Sequence, residues 1–497
     1  MSEPCRSAPS RRPKHLSSTR LRALHVLATG LAFAVCGCSL VPAYTRPDPP
    51  LAQGFDGAVQ TSLADTTPVR SAWWRAYQDP ALDALVERSL SSNYSLASAV
   101  ATVEQARGNA EKAGAPLFPS LTLGSTYDRG HQGGNGGGKG STSKSQSVFA
   151  EASYEIDFWG LNAANANAAA LLARASEFDR DTVALTLTAS VVNTYFEIQS
   201  LRRRVALAQT VSADASRILQ LLLAQQGAGV ATELQVQQQR NALATFQAAV
   251  PVLRLQLEQG LHALAVLTGS APEGFEVGDA PLSAIPIPAV RPNLPSSLLE
   301  TRPDIRSKEA SLQSANYSVG AARAAFFPNI TLTADGGLSS GSLEYFLASP
   351  FATLATSLAA PVFDGGALRG QLHANRAAFD KGAADYRQTI MTALQDVEDS
   401  LSTARQQQLA EAADQAAADA ALKAVTLAEA QYKFGTVDFL TVLDAQRTLY
   451  QSEDTLVQTR LLRLQASVGL FRAFGGGFGV TEADTGPRSS QSNPGNS

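Results

Sequence analysis

The segment 161–226 contains no proline and carries a seven-residue apolar repeat. The positions of this repeat are Leu171, Phe178, Leu185 and Val192. Apolar residues at that spacing predict a helix that packs along its length against other helices. At about 1.5 Å per residue such a helix would extend roughly 100 Å, which is too long for a compact domain. The two or three ordinary domains that a 497-residue chain suggests are therefore not expected here.

A heptad repeat of this length is also typical of a simple coiled-coil rod. Alanine is abundant in the segment, and the face opposite the apolar repeat is polar. Small residues let many helices approach one another closely, and a polar face suits contact with water. We therefore favour a tube of helices around a water-filled interior over a solid rod.

The second half of the chain repeats the pattern of the first at a distance of about 206 to 209 residues. The matched positions are Ala101, Ala106, Ala113, Phe118 and Pro119 in the first half and Ala310, Ala315, Ala322, Phe327 and Pro328 in the second. Each set predicts an alanine-rich helix that proline ends and a strand follows. The segment 367–433 repeats the long helix, and Gly229 and Gly435 are predicted hairpin tips because each lies between two long helical patterns.

Alternating apolar and polar residues predict two strands after each proline. In the first half the apolar set is Leu121, Leu123, Tyr127, Val148, Ala150, Ala152, Tyr154 and Ile156. Glu151, Glu155 and Asp157 fall on the polar set, where they would make a barrel lumen acidic, although charges on solvent-facing strands are common without such a role. The Gly- and Ser-rich segment 130–147 is a predicted surface loop, and the alternation of the fourth strand is weak over 354–362.

Four strands cannot close a barrel wide enough to conduct. Open strand edges in lipid would leave backbone N–H and C=O groups unpaired, and each unpaired group is costly. Several chains must therefore pool their strands if this sheet lies in a membrane. The alternative is a soluble α+β protein with a four-stranded sheet.

The N-terminus has the features of a bacterial secretory signal. Basic residues precede an apolar run, 23–35, that is too short to span a bilayer. The run ends in a sequence that resembles a lipobox, and Cys38 is the predicted acylated residue because it follows the small Gly37. Ser39 at the next position implies sorting to the outer membrane in this class of lipoproteins. The alternative is a plain secreted protein that is cleaved elsewhere.

Signals for catalysis or cofactor binding are missing from the sequence. It has no GxSxG elbow, Walker loop, HExxH motif or paired Cys and His spacing. His262 and His373 lie on predicted helices, where packing or solvation explains them. Cleavage before Cys38 leaves a single sulfhydryl, and a net charge of −4 with scattered Lys and Arg gives no basic patch. We therefore predict a protein that is not an enzyme, with no cofactor, no metal and no nucleic-acid partner.

Proline and glycine content sets the predicted boundaries. Five prolines in 281–295 predict a linker between the halves, and the Ser-, Gly- and Pro-rich end of the chain predicts disorder. The predicted segments are a signal peptide (1–37), a lipidated N-terminal extension (38–70), a first repeat (71–280), the linker (281–295), a second repeat (296–478) and a disordered tail (479–497).

Short motifs are spread over nearly the whole mature chain. They are Cys38-Ser-Leu-Val-Pro, Trp73-Trp74, Asp79-Pro80, Glu300-Thr-Arg-Pro-Asp-Ile-Arg306, Phe326-Phe-Pro-Asn-Ile, Phe363-Asp-Gly-Gly366, Tyr432-Lys-Phe-Gly435, Leu440-Thr-Val-Leu-Asp444 and Phe474-Gly-Gly-Gly477. Each motif is weak alone, but their order and spacing are specific. Together they resemble the TolC/OprM-like outer-membrane factor family, in its lipidated NodT-type branch.

The resemblance implies an α+β membrane protein. Its long coiled-coil-like helices would form a periplasmic helical barrel, and its four strands would contribute to a trimeric twelve-stranded transmembrane β-barrel. The implied function is the outer-membrane channel of a tripartite efflux system that exports drugs or other small molecules. The implied partners are two further copies of the chain, a periplasmic adaptor protein, an inner-membrane pump of the resistance-nodulation-division type, and outer-membrane lipid. The alternatives are the exit duct of a type I protein secretion system and a non-conducting, lipid-anchored coiled-coil scaffold.

The resemblance also implies a periplasmic gate near the second hairpin. Carried over by position, the gate acid is Asp444, an apolar gate residue is Leu440, and Tyr432 contributes contacts that hold the closed state. Three Asp444 carboxylates at a narrow axis would repel one another and attract cations, so the gate is expected to respond to pH and to multivalent cations. Thr441 and Val437 depart from the TolC pattern, which has an acid and an Arg there. The alternative for Asp444 is a solvated helix residue or a hairpin cap.

Overall fold

A computed structural model describes residues 40–48, 54–55, 72–132, 141–290, 295–342 and 344–477. Cys38, the predicted signal peptide and the predicted tail 479–497 lie outside the described residues. The chain divides into two compact units. Within the described ranges, the sheet unit comprises 40–43, 111–168 and 316–377, and the helical unit comprises 44–110, 169–315 and 378–477.

Long helices dominate the chain. In order they are α1 (Pro80–Ser92), α2 (Tyr94–Gly114), α3 (Leu161–Gly227), α4 (Glu233–Leu267), α5 (Leu298–Thr301), α6 (Pro303–Ala324), α7 (Ala367–Lys433) and α8 (Phe439–Ala473). The helices predicted over 161–226 and 367–433 are α3 and α7, which have 67 residues each, while α4 and α8 have 35 each. In the described part of the chain, no helix is long and apolar enough to cross a membrane.

The strands form one antiparallel sheet in the order of the chain. They are β1 (Ser120–Gln132), β2 (Ser141–Ile156), β3 (Asn329–Ser340) and β4 (Pro350–Ala359). The register pairs Ser120 with Ser153, Ile156 with Ile330, and Asn329 with Ala359. Strands β1 and β4 are therefore the two edges of the sheet.

Two strand predictions need correction. The loop predicted over 130–147 is shorter, because Gly130 pairs with Ser143 and the ladder of β1 and β2 continues to the pair of Gln132 and Ser141. The fourth strand covers Pro350–Ala359 instead of 354–362. It ends before Pro361, which has no backbone N–H to donate to a ladder. Strand ends rich in Ser, Thr and Gly pair through the backbone, which the side-chain pattern does not reveal.

The core of the helical unit is built on aromatic side chains. Tyr77 is fully buried, and its hydroxyl lies 2.6 Å from Oγ of Ser467. Its ring lies 5.0 Å from the ring of Phe196, and Trp73 stacks on Phe471 at 5.1 Å. Burial raises the pKa of the Tyr77 phenol well above its ordinary value. The two tryptophans of the Trp73-Trp74 motif are therefore part of the buried core of the helical unit.

Asp79 begins α1 and joins it to α3. Its Oδ1 accepts a hydrogen bond from the backbone N–H of Ala81 at 2.9 Å, and its Oδ2 accepts one from the Tyr195 hydroxyl at 2.6 Å. Pro80 occupies the first helical position, where a missing N–H costs nothing. Burial raises the pKa of Tyr195, and the hydrogen bond to Asp79 raises it further by a smaller amount. The Asp79-Pro80 motif therefore starts α1, and a buried hydrogen bond ties this start to α3.

Arg302, from the Glu-Thr-Arg-Pro motif, is a buried ion-pair centre of the helical unit. Its Nη2 lies 2.6 Å from Oδ2 of Asp304 and 3.2 Å from Oδ2 of Asp396, and its Nη1 donates to the carbonyl oxygen of Ala473 at 3.3 Å. The side chain is buried. A buried guanidinium that satisfies two carboxylates and a helix-end carbonyl fixes the relative positions of α6, α7 and α8.

Candidate functional site

The first hairpin tip joins α3 to α4 at Gly229. Its φ is +74°, which favours glycine, and the N–H of Val230 donates to the carbonyl oxygen of Gln225 at 2.8 Å. Thr232 then caps α4 in a reciprocal pair with Gln235. In that pair the Thr232 N–H donates to Gln235 Oε1 at 2.8 Å, and the Gln235 N–H donates to Thr232 Oγ1 at 3.3 Å. The predicted turn thus ends one helix and starts the next, with hydrogen bonds that satisfy several of the backbone groups at the two helix ends.

The second tip joins α7 to α8 at Gly435 with the same geometry. Gly435 has a φ of +70°, and the N–H of Thr436 donates to the carbonyl oxygen of Gln431 at 3.0 Å. Asp438 caps α8, since its Oδ1 accepts from the Thr441 N–H at 3.0 Å and from the Thr441 hydroxyl at 2.7 Å. Both bonds lower the pKa of Asp438, and the bond from the Thr441 hydroxyl has the larger effect.

Apolar side chains from both hairpins meet close to the tips. We call this group the tip cluster, and its buried members are Ala215, Leu222, Val236, Ala242, Phe246, Phe439 and Leu443. Phe439 and Leu443 come from the second hairpin and the other five come from the first. Tyr432 packs against the cluster, with its ring 5.7 Å from the Phe439 ring in an edge-on arrangement. The two hairpins are therefore held side by side by burial of apolar surface.

The predicted gate residues divide between two environments. Leu440 is 51% exposed and Asp444 is exposed, and their four-residue spacing places them on one face of α8. Tyr432 instead contacts the tip cluster, and in the described part of the chain no hydrogen bond joins it to Asp444. The cap alternative for Asp444 is wrong, because Asp438 holds that position. The carboxylate of Asp444 is therefore exposed and takes no part in the packing of this chain.

Two sets of ion pairs join the helices above the tips, and neither was predicted from the sequence. Arg204 of α3 binds Asp454 of α8 through two hydrogen bonds. Glu411 of α7 accepts from Arg460 at 3.0 Å and from Arg463, both on α8. Partners more than 40 positions apart cannot be matched from charge pattern alone. The Arg204 pair joins the second hairpin to the first, and the Glu411 pairs join the two helices of the second hairpin to each other.

The register gives the sheet one mainly polar and one mainly apolar face, because directly paired residues point to the same side. The apolar face also carries the pair of Arg129 and Lys144 near the β1–β2 loop, and the polar face also carries Phe149 and Phe351. The apolar face includes Leu121, Leu123, Tyr127, Val148, Ala150, Ala152, Tyr154, Ile156, Ile330, Leu332, Leu338, Leu354 and Leu358. The polar face is mainly Ser, Thr and Gly, with acidic residues at Asp128, Glu151, Glu155 and Asp335. Among the described strand residues, this face has no Lys or Arg. Glu151 lies directly opposite Asp335.

Asp157 does not belong to the acidic strand face. The strand β2 ends at Ile156, and the Asp157 carboxylate accepts from the backbone N–H groups of Asn162 at 3.0 Å and Ala163 at 2.7 Å. It therefore stabilises the start of α3. The alternating pattern continues past the strand end because a helix-capping acid happens to fall in phase with it.

The described segment 40–48, which follows the predicted lipidation site, is held on α6. In the sheet unit, Asn316 Nδ2 donates to the carbonyl oxygen of Pro42 at 2.8 Å. In the helical unit, Arg46 forms a two-pronged ion pair with Glu309, with Nη2 2.6 Å from Oε2. These contacts hold two residues of the Val-Pro-Ala-Tyr-Thr-Arg motif, which follows Cys38 in the sequence, against α6.

A family model described as "Outer membrane efflux protein" matches residues 85–270 and 294–476. The pyoverdine export outer membrane protein OpmQ of Pseudomonas aeruginosa is 36% identical over 465 residues, which cover 89% of this chain and 96% of that protein. The toluene efflux pump outer membrane protein TtgC of Pseudomonas putida is 31% identical, over 90% of this chain and 94% of its own length.

Solved structures show the same fold. The outer-membrane channel OprN superimposes with a TM-score of 0.83 at 28% identity, covering 88% of this chain and 99% of that one. The open state of the Neisseria gonorrhoeae MtrE outer membrane channel gives a TM-score of 0.80 at 28% identity, covering 88% of this chain and 98% of its own. With the family model matching both halves of the chain, this protein belongs to the outer membrane efflux protein family.

Proposed function

We propose that this chain is the outer-membrane component of a tripartite efflux system and that three copies form one continuous export duct. The observation that carries the proposal is the four-stranded sheet with one apolar face, one polar face and two unpaired edges, β1 and β4. An apolar outer face suits lipid, and a polar inner face suits a water-filled lumen.

The open edges argue for assembly. Unpaired backbone groups in the hydrocarbon region are costly, so a spanning sheet must close on itself. Four strands are too few for a conducting barrel, whereas three copies supply twelve. The fold is then an internal two-fold repeat in which each half gives two strands to the barrel and one long hairpin to a periplasmic helical barrel.

The hairpins support a gated periplasmic entrance. Phe439 and Leu443 fix one side of α8 in the tip cluster, which leaves Leu440 and Asp444 exposed on a neighbouring face, about 100° away around the helix. In a trimer that face would point to the axis, where three leucines narrow the duct and three carboxylates bind cations. Tyr432 then acts on the closed state indirectly, by packing against Phe439.

The polar sheet face supports an acidic lumen built by Glu151 and Glu155, together with Asp128 and Asp335. Asp157 takes no part, since its carboxylate caps α3. Like charges placed directly opposite, as in Glu151 and Asp335, destabilise a sheet unless water surrounds them. A barrel with such a lumen favours cations over anions.

The partners follow from the same assembly. They are two further copies of the chain, a periplasmic adaptor docked on the hairpin tips, an inner-membrane pump of the resistance-nodulation-division type, and outer-membrane lipid through an acyl group on Cys38. The two relatives are named for pyoverdine export and toluene efflux, so the cargo class that we propose is small molecules. Localisation is the outer membrane, with a periplasmic extension.

Planar-bilayer recording of the purified protein tests the duct. Discrete single-channel steps with cation preference are expected from a trimer of the full chain. Absence of any step from protein that is demonstrably trimeric would favour the non-conducting scaffold instead. Deletion of the gene, assayed by drug susceptibility and by the secretome, then separates small-molecule efflux from a type I protein secretion duct.

A further inference from the structure

A cavity of about 410 Å³ in the helical unit brings three arginines together. Arg174 comes from α3, Arg306 comes from α6, and Arg46 belongs to the segment 40–48. Two acidic residues, Glu300 and Glu309, also line the cavity. Its volume lies in the range of cavities that hold small ligands. None of these five residues takes part in the hairpin tips or the sheet, so the cavity has no role in the proposed duct.

One of the three arginines already binds a carboxylate. Arg46 Nε lies 2.7 Å from Glu309 Oε1, and Arg46 Nη2 lies 2.6 Å from Glu309 Oε2. The Glu309 side chain is 11% exposed, so most of its surface is covered. The two charges in this pair cancel. The net charge that remains in the cavity is therefore set by Arg174, Arg306 and Glu300.

Arg174 and Arg306 share one aromatic ring instead of a carboxylate. The guanidinium carbon of Arg306 lies 4.2 Å from the centroid of the Phe178 ring, and that of Arg174 lies 5.7 Å from the same centroid. The two guanidinium carbons are therefore less than 10 Å apart. In the described part of the chain, no ion pair and no side-chain hydrogen bond reaches either guanidinium.

This arrangement leaves hydrogen-bond donors and positive charge without an acceptor. A guanidinium over an aromatic ring makes its cation–π contact through its face, and the N–H groups at its edge remain for other partners. Two cations this close repel each other, and an anion that binds both removes the repulsion. Arg306 is half-buried, so water screens its charge less than at an open surface. The oxygens of a phosphate or carboxylate group match the guanidinium fork.

We propose that Arg174, Phe178 and Arg306 form a binding site for the phosphate group of a small soluble ligand, which joins α3 to α6. Phosphate is preferred over carboxylate because it carries more negative charge at neutral pH and can face two guanidinium forks at once. The exposed carboxylate of Glu300 in the same cavity repels the ligand and limits its affinity. The site goes beyond the proposed function and does not depend on a conducting trimer.

Calorimetric titration with inorganic phosphate tests the site. The sample is the full chain in phosphatidylcholine nanodiscs, in a buffer without phosphate. Saturable binding of one phosphate per chain is expected, with weaker binding of acetate. Because a ligand that binds only the folded protein stabilises it, the unfolding temperature should also rise with phosphate concentration.

Substitutions identify the residues. Arg174→Gln and Arg306→Gln should each weaken phosphate binding about tenfold or more, because each removes hydrogen bonds to a charged group. Arg306→Lys keeps the charge but not the planar fork, so its loss should be smaller. Glu300→Gln should tighten binding about twofold to fivefold, because it removes a repulsive charge. The matched control is Arg254→Gln on α4, because Arg254 is exposed and forms no ion pair among the described residues.

Unfolding temperatures measured without phosphate show whether each variant is folded. Arg174 is exposed, so Arg174→Gln should fold normally and keep the test valid even if Arg306→Gln does not. Non-saturable binding by the wild-type protein, or equal binding by the wild-type protein and Arg174→Gln, would overturn the site. Channel conductance should be the same in all of these variants, so failure of the site leaves the duct intact, and failure of the duct leaves the site intact.

Nanodiscs that contain phosphatidylglycerol distinguish a soluble ligand from a lipid headgroup. A soluble ligand predicts that the affinity for inorganic phosphate falls by the same factor in the wild-type protein and in Arg174→Gln, since lipid charge repels phosphate from both. A larger fall in the wild-type protein would mean that the lipid phosphate competes for the site, and it would overturn the assignment to a soluble ligand.

Discussion

Arg204 and Asp454 join the first hairpin to the second through a two-pronged ion pair. Arg204 Nε lies 2.7 Å from Asp454 Oδ1, and Nη2 lies 3.1 Å from Oδ2. The side chains are 21% and 18% exposed. Because Arg204 lies on α3 and Asp454 on α8, the pair holds the two hairpins at a fixed separation above the tip cluster.

Arg204→Ala should therefore loosen the second hairpin. Hydrogen bonds to charged groups contribute about 1.5–3 kcal/mol. At 1.4 kcal/mol per factor of ten, the open population should rise about 10-fold to 100-fold. Single-channel conductance and the entry of large antibiotics into cells both measure this change.

Arg203→Ala is the matched control, since the neighbouring Arg203 is exposed and forms none of the ion pairs found in the described chain. Equal conductance in the two variants would mean that net charge, and not the tie to Asp454, sets the closed state.

Asp444→Ala tests the proposed gate. Each carboxylate within about 4 Å of a cation contributes about 1 kcal/mol even at the dielectric constant of water. Removal of the carboxylate should raise conductance and weaken block by divalent cations about fivefold or more. Conductance recorded over a series of divalent-cation concentrations gives both quantities.

Asp419→Ala is the control for Asp444, because Asp419 is also an exposed helix acid and its partner, Gln415, lies on the same helix. A gate at Asp444 predicts no change for Asp419→Ala. Unchanged conductance and unchanged block in Asp444→Ala would remove this residue from the gate.

Much of this architecture follows from the sequence because its cause is local. The absence of proline and the heptads determine α3 and α7 to within about a residue of the predicted ends, and a glycine between helical patterns marks each tip. The sequence alone does not determine which side of α8 is buried. Phe439, Leu440, Val442 and Leu443 are all apolar, and only the position of the first hairpin selects Phe439 and Leu443 for the tip cluster.

The tip cluster leads to a third prediction. Phe439→Ala removes a buried ring and should cost about 3–5 kcal/mol of local stability. Amide exchange should therefore accelerate over residues 432–446 and remain unchanged in the core around Tyr77. Phe434→Ala, whose ring is 84% exposed, is the matched control and should leave exchange unaltered. Comparable exchange in both variants would mean that the ring of Phe439 does not hold the hairpin.

The cap at Asp438 gives the second tip a pH dependence. Hydrogen bonds from the Thr441 hydroxyl and N–H lower the pKa of this carboxyl in the folded state. A group with a lowered folded pKa contributes stability above its unfolded pKa, about 3.9 for Asp, and loses that contribution as pH falls through the folded value. Protection of the first amides of α8 should therefore be constant at neutral pH and decline below about pH 4.

Asp438→Asn separates charge from capping. Asparagine keeps an oxygen that can accept from the Thr441 N–H but does not titrate, so the decline below about pH 4 should diminish while protection at pH 7 remains close to wild type. Asp438→Ala should lower protection at every pH, because the oxygen itself is lost. An identical acid decline in wild type and Asp438→Asn would assign the pH response to another group.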